Sequence, residues 1–182
     1  MPEQNFDEPA WRERVETYRA EKDEFLAEHP QSPIPPEERE DFDGLDYYEP
    51  KPTYRVVARI QEPKEIEEVE LATTTGPDRT YERVATLGFT IADEHQVLEA
   101  YAAPSQEGLF VPFTDATSGE ETYELGRYLE LDIEEFETGD DVVVDFNTAY
   151  NPFCAYNDGF ACVVPPEENH ITVPIEAGER AP

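Results

Sequence analysis

The feature that most constrains the fold is a succession of short segments whose apolar residues alternate with mostly polar ones. In the segment YRVVARI, Tyr54, Val56, Ala58 and Ile60 share one face, which is the pattern of a half-buried strand. Comparable segments are IEEVELATT, TYERVATLGFTI, QVLEAYAA, LFVPF, RYLELDI, VVVDF and HITVPI. Because no long helix separates these strands, the sequence favours an antiparallel β-sandwich or a barrel-like sheet.

The N-terminal part of the chain predicts a helix over residues 9–29. Asp7 is placed as its N-cap, Pro30 ends it, and Lys22 extends a row of apolar side chains at helical spacing. The row consists of Trp11, Val15, Tyr18, Phe25 and Leu26. Residues 30–53 form a proline-rich connector, and residues 54–182 form the β-rich part. We therefore expect one α+β, mainly β domain over residues 1–182, with the amphipathic helix packed against the sheet.

The charge of the chain excludes several partners. Its 44 acidic and 13 basic residues give a formal net charge of −31, which repels nucleic acid and anionic lipid. The carboxylates are spread among apolar residues, which is typical of a folded protein with an acidic surface adapted to a salt-rich cytoplasm, as in haloarchaea. A surface that binds a cationic partner is the alternative. Without a long apolar run or a secretory signal pattern, we expect a cytoplasmic protein outside the membrane.

Two polar motifs in the second half of the chain carry a resemblance. They are LFVPFTDATSGEETYELGRYLELDI and DFNTAYNPFCAY, the latter followed by a second cysteine, PPEEN and IEAGE. Together with FDGLDYYEP and YRVVARI, these stretches resemble the family named domain of unknown function 1684 (DUF1684), in a haloarchaeal form. The resemblance covers nearly the whole chain and implies a single domain, but the family label carries no activity. The chain departs from the family pattern at Glu124, Leu125 and Val163, where loop geometry is affected.

The residues that match the family motifs suggest a small-molecule site where the loop 117–127 meets the loop 145–162. Loops held by a rigid sheet commonly present such side chains to a ligand. The candidates are Tyr123, Arg127, Asp145, Asn147, Tyr150, Asn151, Tyr156, Glu168 and Asn169. Asp145 and Asn147 are alternatively explained as Asx-turn residues that bond the nearby backbone, and Arg127 as one half of a structural ion pair.

The two cysteines, Cys154 and Cys162, allow several interpretations. They are a disulfide, metal ligands together with His170, a reactive thiol assisted by His170 or Arg127, or buried inert thiols. A reducing cytoplasm disfavours the disulfide, and the spacing of eight residues differs from that of zinc knuckles. Inert thiols are the favoured alternative, and we predict no metal site.

The sequence leaves three function classes open and indicates no particular cofactor. The first and favoured class is a binding protein with the site described above. The second is an enzyme that uses Asp145 and Glu168 as acid and base, or one of the thiols. Ser118 is a poor nucleophile candidate, since its surroundings lack the pattern of a nucleophile elbow. The third class is a structural or partner-binding protein without a ligand.

Overall fold

The computed structural model describes residues 5–104 and 106–182. Helix α1 spans Glu8–Glu28, close to the predicted range. The prediction that Asp7 caps it is confirmed, because the Asp7 carboxylate accepts a hydrogen bond from the Ala10 amide at 3.1 Å. The helix ends at His29, as the following proline requires. No helix in the described ranges is both long and apolar enough to cross a membrane.

Seven antiparallel strands form one sheet that curls into a half-barrel. The sheet runs in the order β6-β5-β4-β3-β1-β7, and β2 also pairs with β3. The strands are β1 Arg55–Gln61, β2 Glu67–Leu71, β3 Arg79–Ile91, β4 Glu94–Ala102, β5 Leu109–Phe113, β6 Arg127–Leu131 and β7 Asp141–Asp145. The prediction of a mainly β protein with an N-terminal helix is therefore confirmed.

One face of the sheet holds the main apolar core, which is built largely from alternate residues of the strands. Its most deeply buried members are Ala58, Ile60, Leu87, Leu98, Val111, Phe113, Leu129, Val144 and Phe146. Burial of each large side chain contributes roughly 1.5–3 kcal/mol relative to leaving it in water. The alternation seen in the sequence is therefore the direct cause of the sheet.

A second, smaller cluster of buried residues covers the opposite face of the same strands. In β5, Phe110 points to this cluster while Val111 points to the main core, and Tyr128 and Leu129 divide in the same way in β6. Tyr81 joins the second cluster because the register of β3 against β4 shifts between Arg83 and Ala85, and such a bulge exchanges the two faces of a strand. The sheet is thus buried on both sides near β5 and β6.

Two parts of the predicted strand pattern are wrong. The segment HITVPI is not a strand, although Ile171, Val173 and Ile175 are buried alternately. Pro174 has no amide to donate, and the Ile175 amide donates to the Asp115 carboxylate at 2.6 Å instead of to a strand. In addition, β4 begins at Glu94, two residues before the predicted segment QVLEAYAA, because the turn after β3 lies at Ala92 and Asp93, both with positive φ.

The buried face of α1 differs from the predicted row at one position. Tyr18 is 44% exposed, and Arg19 is buried in its place between Val15 and Lys22. The Arg19 guanidinium donates to the carbonyls of Tyr48 at 2.7 Å and Asn147 at 3.3 Å, so the helix buries a long polar side chain without leaving the charge unpartnered.

Polar side chains of helix α1 bond to the end of β7 and to the C-terminal segment. The Trp11 indole donates to Asp145 at the end of β7 at 2.7 Å, and Lys22 forms an ion pair with Glu179. The Lys22 ammonium also lies 4.8 Å from the centre of the Tyr150 ring. The helix therefore helps to fix the segments that carry the polar motifs.

Candidate functional site

The first polar group lies at the end of β7, where Asp145 and Asn147 bond to each other and to the backbone. One Asp145 oxygen accepts from Trp11, and the other accepts from the Asn147 amide at 3.0 Å and from its side chain at 2.8 Å. The Asn147 side chain also exchanges two hydrogen bonds of 2.9 Å with the backbone of Lys51. The bond from the Asn147 amide to Asp145 fits the Asx-turn interpretation. The bonds of Asn147 to Lys51 hold the connector against the sheet.

A second group surrounds Glu179, whose carboxylate is 1% exposed. Its Oε1 accepts from the Asn151 amide at 3.0 Å and from the Tyr156 hydroxyl at 2.9 Å, while Lys22 pairs with Oε2. The Asn151 side chain donates to the Arg180 carbonyl at 2.9 Å. Burial and the adjacent carboxylate raise the pKa of Tyr156 well above its usual range. Glu179 thus organises two of the predicted site residues and ties them to α1.

Glu179 was not among the predicted site residues, although a sequence signal for it exists. It ends the stretch IEAGE, which is part of the resemblance to the family. The preceding Gly178 has a φ of +81°, and a Cβ there would lie 2.6 Å from the Ala149 carbonyl oxygen. This close approach requires glycine, and it brings the Glu179 carboxylate beneath the Asn151 amide.

A third group is the buried ion pair of Arg127 with Asp115, whose side chains are both inaccessible to solvent. The closest atoms of the pair lie 3.4 Å apart, and the guanidinium also donates to the carbonyls of Ile175 at 2.9 Å, Glu179 at 3.2 Å and Ala177. Burial lowers the pKa of Arg127, and Asp115 opposes that shift. Arg127 therefore joins the start of β6 to the C-terminal segment and does not face solvent.

The motif that contains Glu168 and Asn169 divides into an exposed and a buried residue. Glu168 is exposed, whereas Asn169 is inaccessible and bonds the backbone of Glu99 in both directions, at 2.8 and 3.0 Å, and the Pro112 carbonyl at 2.8 Å. The next residue, His170, is hydrogen-bonded to the Thr114 hydroxyl at 2.9 Å. Asn169 thus links β4 to β5, and His170 bonds the residue that follows β5.

The two cysteines are adjacent, buried and free. The Cys154 amide donates to the Cys162 sulfur at 3.2 Å, and the Tyr123 hydroxyl lies 3.5 Å from the Cys154 sulfur. Burial raises the pKa of Cys162 to about 11, so its thiol is neutral at pH 7. Over the described residues, the structure contains no cluster of three or more His, Cys, Asp or Glu side chains suited to a metal ion.

A cleft of about 420 Å³ opens beside this thiol pair, on the face of β5 and β6 that carries the second cluster. Arg79, Glu130 and Cys162 are among its lining residues. Six aromatic rings dominate its walls, and we call it the aromatic cleft. The rings belong to Tyr81, Phe110, Tyr128, Tyr150, Phe153 and Phe160.

In the floor of the aromatic cleft, β6 meets the predicted loop 145–162, whereas no residue of the predicted loop 117–127 lines the cleft. The backbones of Tyr128 and Tyr150 exchange hydrogen bonds of 2.9 and 3.0 Å, which join β6 to the segment that follows β7. The Tyr128 hydroxyl donates to the Val163 carbonyl, and the Tyr150 hydroxyl donates to Glu130 at 2.8 Å. Tyr150 and Cys162 thus lie in this cleft, while Tyr123 approaches the thiol pair from the neighbouring loop.

The chain is similar to a protein of known structure from a salt-loving archaeon. It is 46% identical to an uncharacterized protein of Haloarcula marismortui with a solution NMR structure, and the TM-score is 0.75. The similarity covers 94% of this chain and 95% of that one. A search of curated proteins found no match. Residues 40–180 match the family model described as protein of unknown function (DUF1684), and the chain therefore belongs to this family.

Proposed function

We propose that this protein binds a small molecule in the aromatic cleft. The observation that carries the proposal is the convergence of six aromatic rings on one cleft of about 420 Å³, a volume in the usual range of small-molecule sites. Most of these residues belong to the second half of the chain, where the family motifs lie. A mostly apolar concave surface with a few polar groups is the usual form of a ligand site.

The aromatic cleft combines the buried rings of the second cluster with two exposed rings. Phe153 and Phe160 are 37% and 36% exposed, although they pack edge to face at 5.4 Å between ring centres. When a ligand covers large aromatic side chains that are in contact with water at a concave site, the removal of apolar surface from water stabilises the complex. The candidates Asp145 and Asn147 are engaged in internal contacts, and Asn151 donates to the Arg180 carbonyl, which supports a ligand site on the aromatic side of the motif.

The chemistry of the site favours binding over catalysis. A thiol with a raised pKa is a poor nucleophile at neutral pH, because the thiolate is the reactive form. Asp145 is half-buried and accepts three hydrogen bonds from Trp11 and Asn147, and Glu168 lies on the surface. These two carboxylates do not share the aromatic cleft, which is lined by Glu130.

The proposal is tested by NMR fragment screening of the ¹⁵N-labelled protein in molar KCl. We expect planar and cationic fragments to shift amide signals of residues 150–163 and of β5 and β6. The variant Phe160→Ala removes one exposed wall and is expected to abolish these shifts, whereas Val97→Ala removes an exposed side chain outside the cleft and leaves them unchanged. Shifts confined to another surface, or retained in Phe160→Ala, would overturn the proposed function.

We further propose that the acidic surface adapts the protein to a salt-rich cytoplasm. The similar protein from Haloarcula marismortui supports this view, and the net charge of −31 supplies the physical reason. In molar salt the Debye length falls to about 3 Å, so repulsion between surface carboxylates is screened. Thermal unfolding in 0.1, 1 and 3 M KCl tests the proposal. A midpoint that rises with salt is expected, and a midpoint independent of salt would contradict it.

A further inference from the structure

We infer that the aromatic cleft receives a ligand with a methylated or quaternary ammonium group. The inference rests on the proposed function and adds the chemical class of the ligand. It follows from the shape of the ring cluster, from the electrostatics of Tyr150 and Glu130, and from the medium in which the acidic surface works. The first two grounds are properties of residues that line the cleft.

Three of the four ring pairs in the aromatic cleft form corners, and the fourth, Tyr81 with Phe110, is stacked at 26° with ring centres 5.6 Å apart. Tyr128 meets Tyr150 at 88° and Phe110 at 78°, with ring centres 5.7 and 4.8 Å apart, and Phe153 meets Phe160 at 80°. A flat ligand is best held between two parallel walls, whereas perpendicular walls enclose a rounded group. A trimethylammonium head is rounded, and aromatic boxes are the usual way to hold it.

The electrostatics of Tyr150 and Glu130 favour a positive ligand. The face of an aromatic ring is negative, and the Lys22 ammonium 4.8 Å from the centre of the Tyr150 ring shows that this ring holds a cation. Lys22 is itself paired with Glu179, so it repels a second cation less than an unpaired charge would. The Tyr150 hydroxyl donates to Glu130, so a carboxylate adjoins the same ring within the lining of the cleft. A cation in the cleft would therefore contact ring faces and lie near one carboxylate.

Arg79 places a positive charge in the lining of the aromatic cleft. Its guanidinium lines the cleft and donates to the Ala161 carbonyl at 2.6 Å. A positive charge there weakens the binding of any cation, so the ammonium group is expected at the end of the cleft formed by Tyr128, Tyr150 and Glu130. Removal of the Arg79 charge should consequently strengthen binding of a cation and leave a neutral ligand unaffected.

A methylated ammonium is also distinguished from the abundant inorganic cations. Potassium is held by several oxygen ligands that replace its hydration shell, and the hydroxyls of Tyr128 and Tyr150 are already bonded to Val163 and Glu130. A methylated ammonium is weakly hydrated and presents apolar methyl groups to the rings. Contacts of this kind are short-ranged and are less sensitive to salt than the attraction between exposed charges. The aromatic cleft therefore suits an organic cation in a molar salt medium.

The experiment compares choline with its neutral isostere 3,3-dimethyl-1-butanol by NMR titration in 2 M KCl. We expect choline to shift the amide signals of Tyr128, Tyr150 and residues 160–163 in a saturable way. Its dissociation constant should be at least about tenfold lower than that of the isostere, a ratio that corresponds to about 1.4 kcal/mol.

Three variants complete the test. Glu130→Gln keeps the acceptor for Tyr150 but removes the charge, so choline should bind about threefold to tenfold more weakly while the isostere is unaffected. Arg79→Gln should tighten choline binding about twofold. Glu124→Gln changes the net charge equally but lies on an exposed loop outside the cleft, and it should leave both titrations unchanged.

The outcomes separate this inference from the proposed function. Equal affinity for choline and its isostere would overturn the ligand class, while binding in the aromatic cleft would still stand. A lack of any choline response in the cleft would also overturn the inference, and the fragment screen then decides on the proposed function by itself. An effect of Glu124→Gln equal to that of Glu130→Gln would show general charge attraction and would likewise overturn it.

Discussion

Two regions of the molecule carry the family motifs, and their side chains have opposite states. In the first, which we call the buried polar network, most polar atoms have a protein partner, the exceptions being the Nε of Arg127 and the Oδ1 of Asn151. Its members are Asp115, Arg127, Asp145, Asn147, Asn151 and Glu179. In the second, the aromatic cleft, two apolar rings, those of Phe153 and Phe160, remain open to solvent above a floor of buried rings. The comparison indicates that polar residues in a motif mark a ligand site only where their hydrogen-bonding groups are left free.

The difference has a simple energetic cause. A polar group removed from water must be hydrogen-bonded within the protein, and loss of one partner costs roughly 1–3 kcal/mol. The buried polar network meets this requirement by bonding the C-terminal segment to α1 and to the ends of β6 and β7. The aromatic cleft has no such requirement, since its rings lose only contact with water when a ligand arrives.

Removal of the Arg127 charge tests the buried polar network most directly. We expect Arg127→Met to lower the free energy of unfolding by about 3–5 kcal/mol, because it leaves the buried Asp115 carboxylate without its counter-ion. Urea unfolding in molar KCl measures the change. Arg59→Met is the matched control, since Arg59 is 72% exposed in its pair with Asp141 and should cost less than about 1 kcal/mol. A stable Arg127→Met protein that lost ligand binding would assign Arg127 to the ligand.

A smaller effect is expected from Asn151→Ala. The substitution removes the hydrogen bond from Asn151 to the Arg180 carbonyl and should lower stability by about 2 kcal/mol. The affinity of the aromatic cleft for its ligand should stay unchanged, because Asn151 is buried behind Glu179. Unfolding and NMR titration of the same variant give both values. Intact stability with lost binding would reverse the assignment of this residue.

The sequence predicts the strands well where alternation coincides with backbone pairing. It fails at HITVPI, since an irregular segment can also bury alternate side chains when its amides bond elsewhere, as Ile175 does with Asp115. It also misplaces Tyr18, because the sequence does not show that the polar Arg19 will find two carbonyl acceptors beneath the helix. Both errors depend on partners that are distant in the chain.

The candidate site is predicted in part for the same reason. The sequence identifies the loops and includes Tyr150 and Cys162, which line the aromatic cleft. It does not reveal Tyr81 and Phe110, since these rings reach the cleft only through the strand order and the bulge in β3. Sequence motifs thus locate the region, but the sheet topology decides which side chains share a cavity.

A third variant tests whether a ring of the aromatic cleft serves ligand binding and not stability. Phe160→Ala should change the free energy of unfolding by less than about 1 kcal/mol, because the ring is 36% exposed. Loss of this wall should nevertheless weaken ligand binding by tenfold or more. Urea unfolding and NMR titration measure the two effects. A large loss of stability would place Phe160 with the core and would remove the distinction between the two regions.

The smallest expected effect concerns Cys162, which lies in the lining of the aromatic cleft. Burial raises the pKa of its thiol from the model-compound value of 9.0 to about 11, so the folded state favours the neutral form. The corresponding contribution to stability is complete below pH 9 and is lost as the pH rises toward and past 11. Replacement by alanine should therefore make the decline in stability above pH 9 slightly less steep than in the wild type. Urea unfolding at pH 8, 9.5 and 10.5 measures the two slopes. Cys154→Ala serves as the neighbouring control for lost volume, and an unchanged slope in Cys162→Ala would show that the thiol is as accessible in the folded protein as in the unfolded chain.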